Sequence, residues 1–472
     1  MFFCGLRDKK AVMKRQIMPY LQQWLHKPQR KPLIMRGARQ VGKTWLVRHL
    51  AELEGKQLIE LNIEREPRSK SFFNTNDPKL ILQNIGHYFG IKIHPEKVIL
   101  FLDEIQVAPE LLAVLRWFSE EMPELPVIAA GSLLDFVLAS HSFSMPVGRI
   151  SYVHVEPLSF EEFLGAMQQE GLVDFLRQYS IGAKASAPTQ VPTIIHDQLM
   201  RYVREYIFVG GLPSAVACWA DTKLLVHVHE TQHDLLSTYR DDFAKYRGRL
   251  TPERVEDIWH AVPKMLGKPW KYSHINPDVQ SSSLKQALHL LTLAKICHPV
   301  YACAADGLPL AAGARERIFK VLFLDIGLVS TALGFSLPGQ IEVNAFSLIN
   351  EGGLAEQFVG QGLRTSFPFY VEPALYYWCR EKSGSSAEVD YLLQHGTDII
   401  PIEVKAGTTG QMRSLHLLMA LRGWPRAVRF NADYPSMTTV TATTHDKNNH
   451  QYQLLSLPFY FIGQLSRLLD EQ

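Results

Sequence analysis

Short apolar runs alternate with helical patterns over the first third of the chain. Residues 33–35, 98–102 and 126–130 are almost entirely apolar. Runs of this length predict strands that are buried on both faces of a parallel sheet. After the first run, Leu46 and Leu50 recur at the spacing of one helix face. The pattern therefore predicts an α/β fold whose core is a parallel sheet covered by helices.

The loop after residues 33–35 carries a phosphate-binding motif. Its sequence is Gly37-Ala38-Arg39-Gln40-Val41-Gly42-Lys43-Thr44, which fits the pattern G-x-x-x-x-G-K-[ST]. Glycines let the backbone wrap around phosphate oxygens, and the N-terminus of the next helix adds a partial positive charge. Lys43 is expected to reach the β- and γ-phosphates, and Thr44 to bind Mg²⁺. The alternative, an ordinary turn before a basic helix, leaves this joint pattern unexplained. We therefore expect residues 37–44 to bind ATP with Mg²⁺.

Two carboxylates follow the apolar run 98–102. Asp103 and Glu104 would lie at the carboxyl end of a buried strand, where an ionised group is costly unless it has a function. Asp103 is expected to hold the Mg²⁺ shell. Glu104 is expected to position and polarise the attacking water. The alternative is a helix cap, because Asp is a favourable N-cap residue.

Two further side chains are candidates for contact with the γ-phosphate. Ser132 follows the predicted strand 126–130 and could bond the γ-phosphate or the attacking water. It could equally cap the next helix. Arg149 follows a glycine and could act as an arginine finger, in this subunit's site or in a neighbour's. A role in a neighbour's site would require at least a homodimer.

A second candidate site lies towards the end of the chain. Residues 388–393 and 398–405 alternate as strands, with a glycine-containing turn between them. A hairpin of these strands would bring Asp390, Glu403 and Lys405 together. The alternative is a structural strand pair whose Asp, Glu and Lys side chains form a surface network.

The spacing Asp390-x12-Glu403-x-Lys405 resembles the core of the PD-(D/E)xK nucleases. The resemblance implies that Asp390 and Glu403 hold a second Mg²⁺ and that Lys405 orients or activates water beside a phosphate. Glu356, on an apolar helix upstream, matches the acidic position on the first helix of that fold. The chain departs from the pattern at Val389, where a proline is usual. Such a domain can also keep the fold and act solely as a binding module.

The phosphate loop, the Asp-Glu pair, Gly210-Gly-Leu-Pro and Pro401-Ile-Glu-Val-Lys follow one another in a specific order. In this order the chain resembles a large group of bacterial and archaeal AAA-type ATP-binding proteins that carry a C-terminal domain of unknown function. The resemblance covers nearly the whole chain and points to the origin-recognition side of the AAA class. It implies a nucleotide-binding core, in which Arg149 matches the family's Gly-Arg motif. It does not identify the substrate.

Residues 251–335 carry helical patterns with apolar strands near 295–302 and 319–324. Helices closed by a two-strand wing predict a winged-helix module, in agreement with the resemblance. Winged helices often place one helix in the major groove of DNA, which makes DNA a candidate partner. Residues 281–291 contain one Lys and no Arg, so a groove-reading helix has little support. Many winged helices bind protein instead.

The chain has 472 residues and a net charge of +2, which excludes a global electrostatic attraction to nucleic acid. Its five cysteines form no C-x-x-C pair, so neither a zinc ribbon nor a disulfide scaffold is predicted. No run of about 18 apolar residues occurs, and the N-terminus lacks the order of a secretory signal. We expect a cytoplasmic protein without a membrane partner.

The predicted organisation has four parts. Residues 1–165 form a P-loop AAA-type ATPase core with an N-terminal helix over residues 8–30, and residues 166–250 form a helical lid or linker. Residues 251–335 are winged-helix-like, and residues 336–472 form a small α/β nuclease-like domain. The predicted function is an ATP-binding protein and Mg²⁺-dependent ATPase whose nucleotide cycle controls the C-terminal domain. The alternative is a nucleotide-gated switch that binds DNA or protein and cuts nothing.

Overall fold

Two β-sheets with helices packed against them organise the chain as an α/β protein. The computed structural model describes residues 13–139, 148–181, 190–245, 252–335, 352–382, 385–407, 412–443 and 449–471.

The first sheet is parallel, as the apolar runs predict. Its strands are β1 (Leu33–Arg36), β2 (Gln57–Asn62), β3 (Val98–Asp103), β4 (Val127–Ala130) and β5 (Ser151–His154). They lie in the order β2-β3-β4-β1-β5. Every residue of β3 and β4 is buried, which confirms that these runs are strands covered on both faces. The helices of this part are α1 (Met18–Leu25), α2 (Lys43–Leu53), α3 (Pro78–Phe89), α4 (Leu111–Glu121) and α5 (Leu134–Ala139).

The helix α1 is shorter than the helix predicted over residues 8–30. It begins at Met18, with Pro19 in its first turn, and ends at Leu25. Proline suits the first turn because the N–H that it lacks has no helical partner there. After the helix, Pro28 disfavours a helical conformation of Lys27, so the chain leaves the helix before it enters β1. Residues 8–12 of the prediction lie outside the described residues.

A helical region follows β5. Its helices are α6 (Phe160–Ala166), α7 (Glu170–Gln178), α8 (Thr193–Val209), α9 (Pro213–Thr222), α10 (Leu225–Asp241), α11 (Pro252–Ala261) and α12 (Ser281–Leu293). The strands β6 (Cys297–Cys303) and β7 (Ala314–Phe323) come next, followed by α13 (Ile326–Ala332). The predicted wing strands thus exist and pair antiparallel.

The second sheet has eight strands in the order β12-β13-β11-β10-β9-β8-β6-β7. After α14 (Gly352–Thr365) come β8 (Leu375–Lys382), β9 (Ser385–His395), β10 (Asp398–Val404), α15 (Arg413–Arg422), β11 (Arg426–Asn431), β12 (Ser436–Thr443), β13 (Asn449–Pro458) and α16 (Leu465–Asp470). The strands β9 and β10 form the predicted hairpin, with Ile402 opposite Tyr391.

The second sheet crosses the boundary predicted at residue 335. The strand β6 pairs in parallel with β8, from Val300 opposite Leu375 to Cys303 opposite Trp378. The strand pair β6–β7 therefore belongs to the C-terminal sheet, whereas the winged-helix interpretation expects a separate ribbon. The physical reason lies in β6, which has buried residues on both faces. A buried strand must also pair its backbone N–H and C=O groups along both edges, and β8 provides the second partner.

A buried carboxylate joins the helical region to the C-terminal part. Asp325 is fully buried at the N-cap of α13. Its carboxylate accepts hydrogen bonds from the Gly211 backbone N at 2.6 Å and from Gln361 Nε2 on α14 at 3.0 Å. Gly210 has φ +75°, and a Cβ there would lie 1.9 Å from Asp325 Oδ1, so this approach requires glycine. The helices α9, α13 and α14 are thereby held in one arrangement.

Candidate functional site

The phosphate-loop motif lies where the sequence predicts it, between the carboxyl end of β1 and the N-terminus of α2. Gly37 has φ +147°, and a Cβ there would lie 2.3 Å from the Val155 carbonyl oxygen. Gly42 has φ +96° and caps α2. Both positions need glycine because side chains rarely adopt these backbone angles. The loop therefore has the conformation that lets backbone N–H groups surround an anion at a helix N-terminus.

Lys43 is buried inside this loop, with a relative exposure of 8%. Its Nζ donates to the carbonyl oxygens of Gly37 at 2.9 Å and Ala38 at 2.7 Å. Burial lowers the pKa of Lys43 to about 8, against the opposing charges of Glu104 and Asp103. A buried amine whose partners are loop carbonyls is placed to donate instead to phosphate oxygens. The residues of the loop therefore fit a nucleotide phosphate.

Thr44 and Asp103 meet beside Lys43, as a Mg²⁺ site requires. Thr44 Oγ1 donates to Asp103 Oδ2 at 3.3 Å, and Asn62 Nδ2 donates to the same oxygen at 3.4 Å. Burial, and secondly the charge of Glu104, raise the pKa of Asp103 to about 6. A hydroxyl and a carboxylate at this position suit Mg²⁺, which prefers oxygen ligands. Sequence reasoning missed Asn62, although it ends β2 directly opposite Asp103.

Glu104 and Ser132 also lie together, as their positions after neighbouring strands predict. Ser132 Oγ donates to Glu104 Oε2 at 3.4 Å, and Gln106 Nε2 donates to the same oxygen at 2.6 Å. Glu104 has φ +53°, an unusual conformation for a residue with a side chain. The capping alternative concerned Asp103, but Asp103 ends β3, and the N-cap residue of the short helix that follows is Glu104, which makes no side-chain capping bond. Sequence reasoning missed Gln106.

The structure does not bring Arg149 to the phosphate loop of its own subunit. Arg149 precedes β5, and β5 runs parallel to β1 with Ser151 opposite Leu33. The loop follows the other end of β1, so Arg149 lies at the opposite edge of the sheet, roughly 15 Å along the strands. There its Nε donates to Glu120 Oε1 at 2.7 Å. The expectation of a finger within one subunit is therefore wrong, and a role in a neighbour's site stays a prediction.

The helical region holds the phosphate loop from outside. Arg39 Nη1 lies 2.7 Å and 2.8 Å from the two carboxylate oxygens of Asp242. Tyr239 on α10 donates to the Arg39 carbonyl at 2.7 Å. Next to the loop, Gly42, Trp45 and Pro213 help to line a cavity of about 490 Å³ between α2 and α9. The predicted lid region therefore touches the loop and borders the space beside it.

The predicted C-terminal residues also come together. Lys405 Nζ lies 2.6 Å from Glu403 Oε1, and Asp390 Oδ2 accepts from the Val404 backbone N at 2.8 Å. Burial, and secondly the charge of Asp390, raise the pKa of Glu403 to about 7, although Lys405 acts against this shift. Glu356 on α14 belongs to the same group, because Glu356 and Asp390 both raise the pKa of one further lysine, Lys320.

That lysine, Lys320 on β7, is a residue that sequence reasoning missed. Its Nζ lies 2.8 Å from Glu356 Oε2, pairs closely with Glu388 Oε1, and lies 3.6 Å from Asp390 Oδ1. Burial acts to lower the pKa of Lys320, but the effect of the nearby carboxylates is larger. The net pKa of Lys320 therefore lies well above its usual value, and the group stays charged. A signal existed, because Lys320 interrupts the otherwise apolar run Phe319–Phe323.

Three stretches of the chain match family models. Residues 29–164 match the model of the AAA domain. Residues 200–338 match a domain of unknown function, DUF8612, and residues 351–460 match another, DUF4143. The first match supports ATP binding by the phosphate-loop sheet. The other two matches carry no description of activity.

The chain is similar to several proteins at low sequence identity. It is 22% identical over 299 residues to an uncharacterized protein of Methanocaldococcus jannaschii, and the match spans 61% of this chain and 58% of the relative. A Walker-type ATPase of Pyrococcus abyssi matches in structure with a TM-score of 0.43 and 16% identity, over 70% of this chain and 99% of that chain. The ORC1 protein of Aeropyrum pernix in complex with DNA matches with a TM-score of 0.29 and 12% identity, over 70% and 95% of the two chains.

None of the helices in the described ranges has the length and apolar character needed to cross a membrane. In the same part of the chain, no three His, Cys, Asp or Glu side chains form a group that could hold a metal ion.

Proposed function

We propose that the protein is a Mg²⁺-dependent ATPase. The observation that carries this proposal is the convergence of Lys43, Thr44, Asp103 and Glu104 at one edge of a parallel sheet. Lys43 would bind the β- and γ-phosphates, and Thr44 with Asp103 would hold Mg²⁺, which supplies charge neutralisation to the phosphates when bound.

Glu104 has the role of the base in this proposal. Its carboxylate is oriented by Gln106 and lies within reach of Ser132. It would take the proton of the attacking water, and Ser132 would orient that water or the γ-phosphate. The cavity beside Gly42 and Trp45 offers room for the nucleoside.

Release of phosphate from ATP tests the proposal directly. We expect phosphate release that requires Mg²⁺ and stops when EDTA is added. Phosphate release that continues at the same rate in EDTA, or ATP that binds but is never hydrolysed, would contradict the assignment as a Mg²⁺-dependent ATPase.

We further propose that the nucleotide cycle controls a nuclease-like C-terminal site. In this site Asp390 and Glu403 would hold a divalent cation, and Lys405 would orient the attacking water beside a nucleic-acid phosphate. The supporting observation is the contact of Lys405 with Glu403, next to Asp390. The domain would act on a nucleic acid, with DNA as the first candidate.

A chain of contacts runs from the phosphate loop to this site. Arg15 Nη1 donates to the Val41 carbonyl in the loop at 3.0 Å, and Nη2 donates to the Glu156 carbonyl at 2.9 Å. The Glu156 carboxylate accepts two bonds from Arg364, at 2.8 Å and 3.1 Å. Arg364 lies on α14, the helix that also carries Glu356 of the acidic site. A movement of the loop on nucleotide binding would therefore act on α14.

Replacement of Arg364 tests this connection. In the unmutated protein we expect ATP with Mg²⁺ to slow amide hydrogen exchange in α14 by roughly fivefold or more. Arg364→Met should remove this response, because Glu156 then has no partner on α14. Arg422→Met is the matched control, since Arg422 pairs with Asp306 away from the phosphate loop. An unchanged ATP response of α14 in Arg364→Met would exclude this route.

The alternative function is a nucleotide-gated switch that binds DNA or protein without cleavage. The observation that favours it is that Glu356 and Glu388 already pair with Lys320, and Glu403 with Lys405, inside the C-terminal site. This alternative keeps the ATPase proposal and removes catalysis from the C-terminal domain.

A further inference from the structure

Lys320 is an unusual residue for its position. It lies on β7 among Phe319, Val321 and Leu322, with a relative exposure of 3%. Its side chain extends across the face of the sheet, and Nζ lies 5.2 Å from the ring centre of Tyr377 on β8. Burial of an ammonium group is costly unless it is paired and hydrogen-bonded. The sequence of β7 therefore places a cation at a specific point of the C-terminal site.

That point is where three carboxylates converge. Lys320 Nζ is 2.8 Å from Glu356 Oε2, in close contact with Glu388 Oε1, and 3.6 Å from Asp390 Oδ1. These oxygens come from α14 and from two alternate positions of β9. Oxygens from several carboxylates around one cation are the usual surroundings of a divalent metal ion. Here the cation is part of the chain.

One carboxylate of the group keeps an unsatisfied oxygen. Glu403 has a relative exposure of 5%. Its Oε1 pairs with Lys405 at 2.6 Å, while its Oε2 is buried with no hydrogen-bond partner among the described residues. Unsatisfied buried polar atoms are rare in proteins, and an ion is one explanation for them. This oxygen is therefore a candidate ligand for such an ion.

The formal charges of the group are compatible with one divalent cation. Four carboxylates face two ammonium groups, which leaves an excess of two negative charges when all are ionised, the charge of one divalent cation. The carboxylates are Glu356, Glu388, Asp390 and Glu403, and the ammonium groups are Lys320 and Lys405.

We propose that the Lys320 ammonium takes the position of one metal ion of a two-metal site, so that the C-terminal site accepts a single divalent cation at Asp390 and Glu403. The part of this proposal that places a divalent cation at Asp390 and Glu403 rests on the nuclease-like function proposed above. The role of Lys320 is tested independently of it. A lysine cannot be removed by chelation, so Glu356 and Glu388 stay ordered whether or not the divalent ion is bound.

The number of Mn²⁺ ions bound per chain tests the proposal. The protein is titrated with Mn²⁺ without nucleotide, so that the site at Thr44 and Asp103, which holds its ion together with ATP, does not contribute to the count. Free Mn²⁺ is measured by electron paramagnetic resonance. We expect one bound ion in the unmutated protein and two in Lys320→Met, because the vacated position is surrounded by three carboxylates. The matched control is Lys320→Met with Glu388→Gln, which removes one charge of each sign and should bind one ion. Equal numbers in the unmutated protein and in Lys320→Met would overturn the role of Lys320.

The same titration separates this inference from the proposed function. Glu403→Gln should lose the single ion of the unmutated protein. If the unmutated protein binds no ion, the metal-binding part of the proposed function fails. Lys320→Met then still has to bind one ion more than the unmutated protein for the inference to stand.

Thermal unfolding covers the case in which Lys320→Met folds poorly. Loss of the ammonium leaves three partly buried carboxylates without their cation, so the melting temperature without metal should fall. Mn²⁺ should raise the melting temperature of Lys320→Met more than that of the unmutated protein, because the ion binds the folded form at the vacated position. An equal rise in both proteins would contradict the proposal.

Discussion

Glu104→Gln is expected to keep ATP bound but to slow its hydrolysis by roughly a hundredfold or more. The amide keeps the size of the side chain and can still bond Gln106, but it cannot take a proton from water. Lys43 and Thr44, which would hold the phosphates and Mg²⁺, are unchanged. Binding of a fluorescent ATP analogue and single-turnover phosphate release measure the two quantities separately.

The matched control for this variant is Glu110→Gln. Glu110 is exposed, lies just before α4 and makes no side-chain capping bond. The same chemical change there should leave hydrolysis unaltered. Hydrolysis by Glu104→Gln at the rate of this control would exclude Glu104 as the base.

The second large effect is expected for Lys43→Ala. The change removes the buried cation inside the phosphate loop, so ATP binding should weaken strongly and hydrolysis should fall by at least roughly a hundredfold. Equilibrium binding of ATP and steady-state phosphate release are the measurements. Lys79→Ala, which removes an exposed lysine from α3, is the control. Normal turnover in Lys43→Ala would remove the assignment of the phosphate loop.

The sequence predicts the nucleotide site well because its parts are local. The strand β1, the loop 37–44 and the start of α2 are continuous in the chain, and Asp103 directly follows an apolar run. Parallel strands end at one edge of a sheet, so Ser132 after β4 could also be placed near Glu104. Asn62 and Gln106 were missed because their roles depend on strand register and on the unusual backbone of Glu104.

The C-terminal site shows where sequence reasoning fails. Asp390, Glu403 and Lys405 belong to one hairpin, so their proximity follows from a single turn. Lys320 is 70 positions before Asp390 and reaches the site because β6 pairs with β8. No local pattern predicts that pairing, and the same pairing explains why the sheet crosses the boundary predicted at residue 335. Arg149 was assigned to an ATP site from its motif alone. The parallel direction of β5 places it instead at the edge of the sheet opposite the phosphate loop.

The helix α14 contacts three separate parts of the chain. Glu356 faces Lys320 in the acidic site, Gln361 binds Asp325, and Arg364 binds Glu156 beneath the phosphate loop. One rigid helix thus contacts the C-terminal site, the helical region and the ATP-binding core. We infer that a change in the nucleotide site reaches the acidic site through this helix.

A cleavage assay tests whether the nucleotide cycle controls a nuclease-like C-terminal site. Single- and double-stranded DNA and RNA are incubated with Mg²⁺ or Mn²⁺, with and without ATP, and with the unmutated protein, Lys405→Ala or Lys43→Ala. We expect metal-dependent cleavage by the unmutated protein that changes with ATP, no cleavage by Lys405→Ala, and cleavage by Lys43→Ala that no longer responds to ATP. Absence of cleavage under every condition, with ATP hydrolysis intact, would contradict the nuclease-like function and leave the nucleotide-gated binding switch.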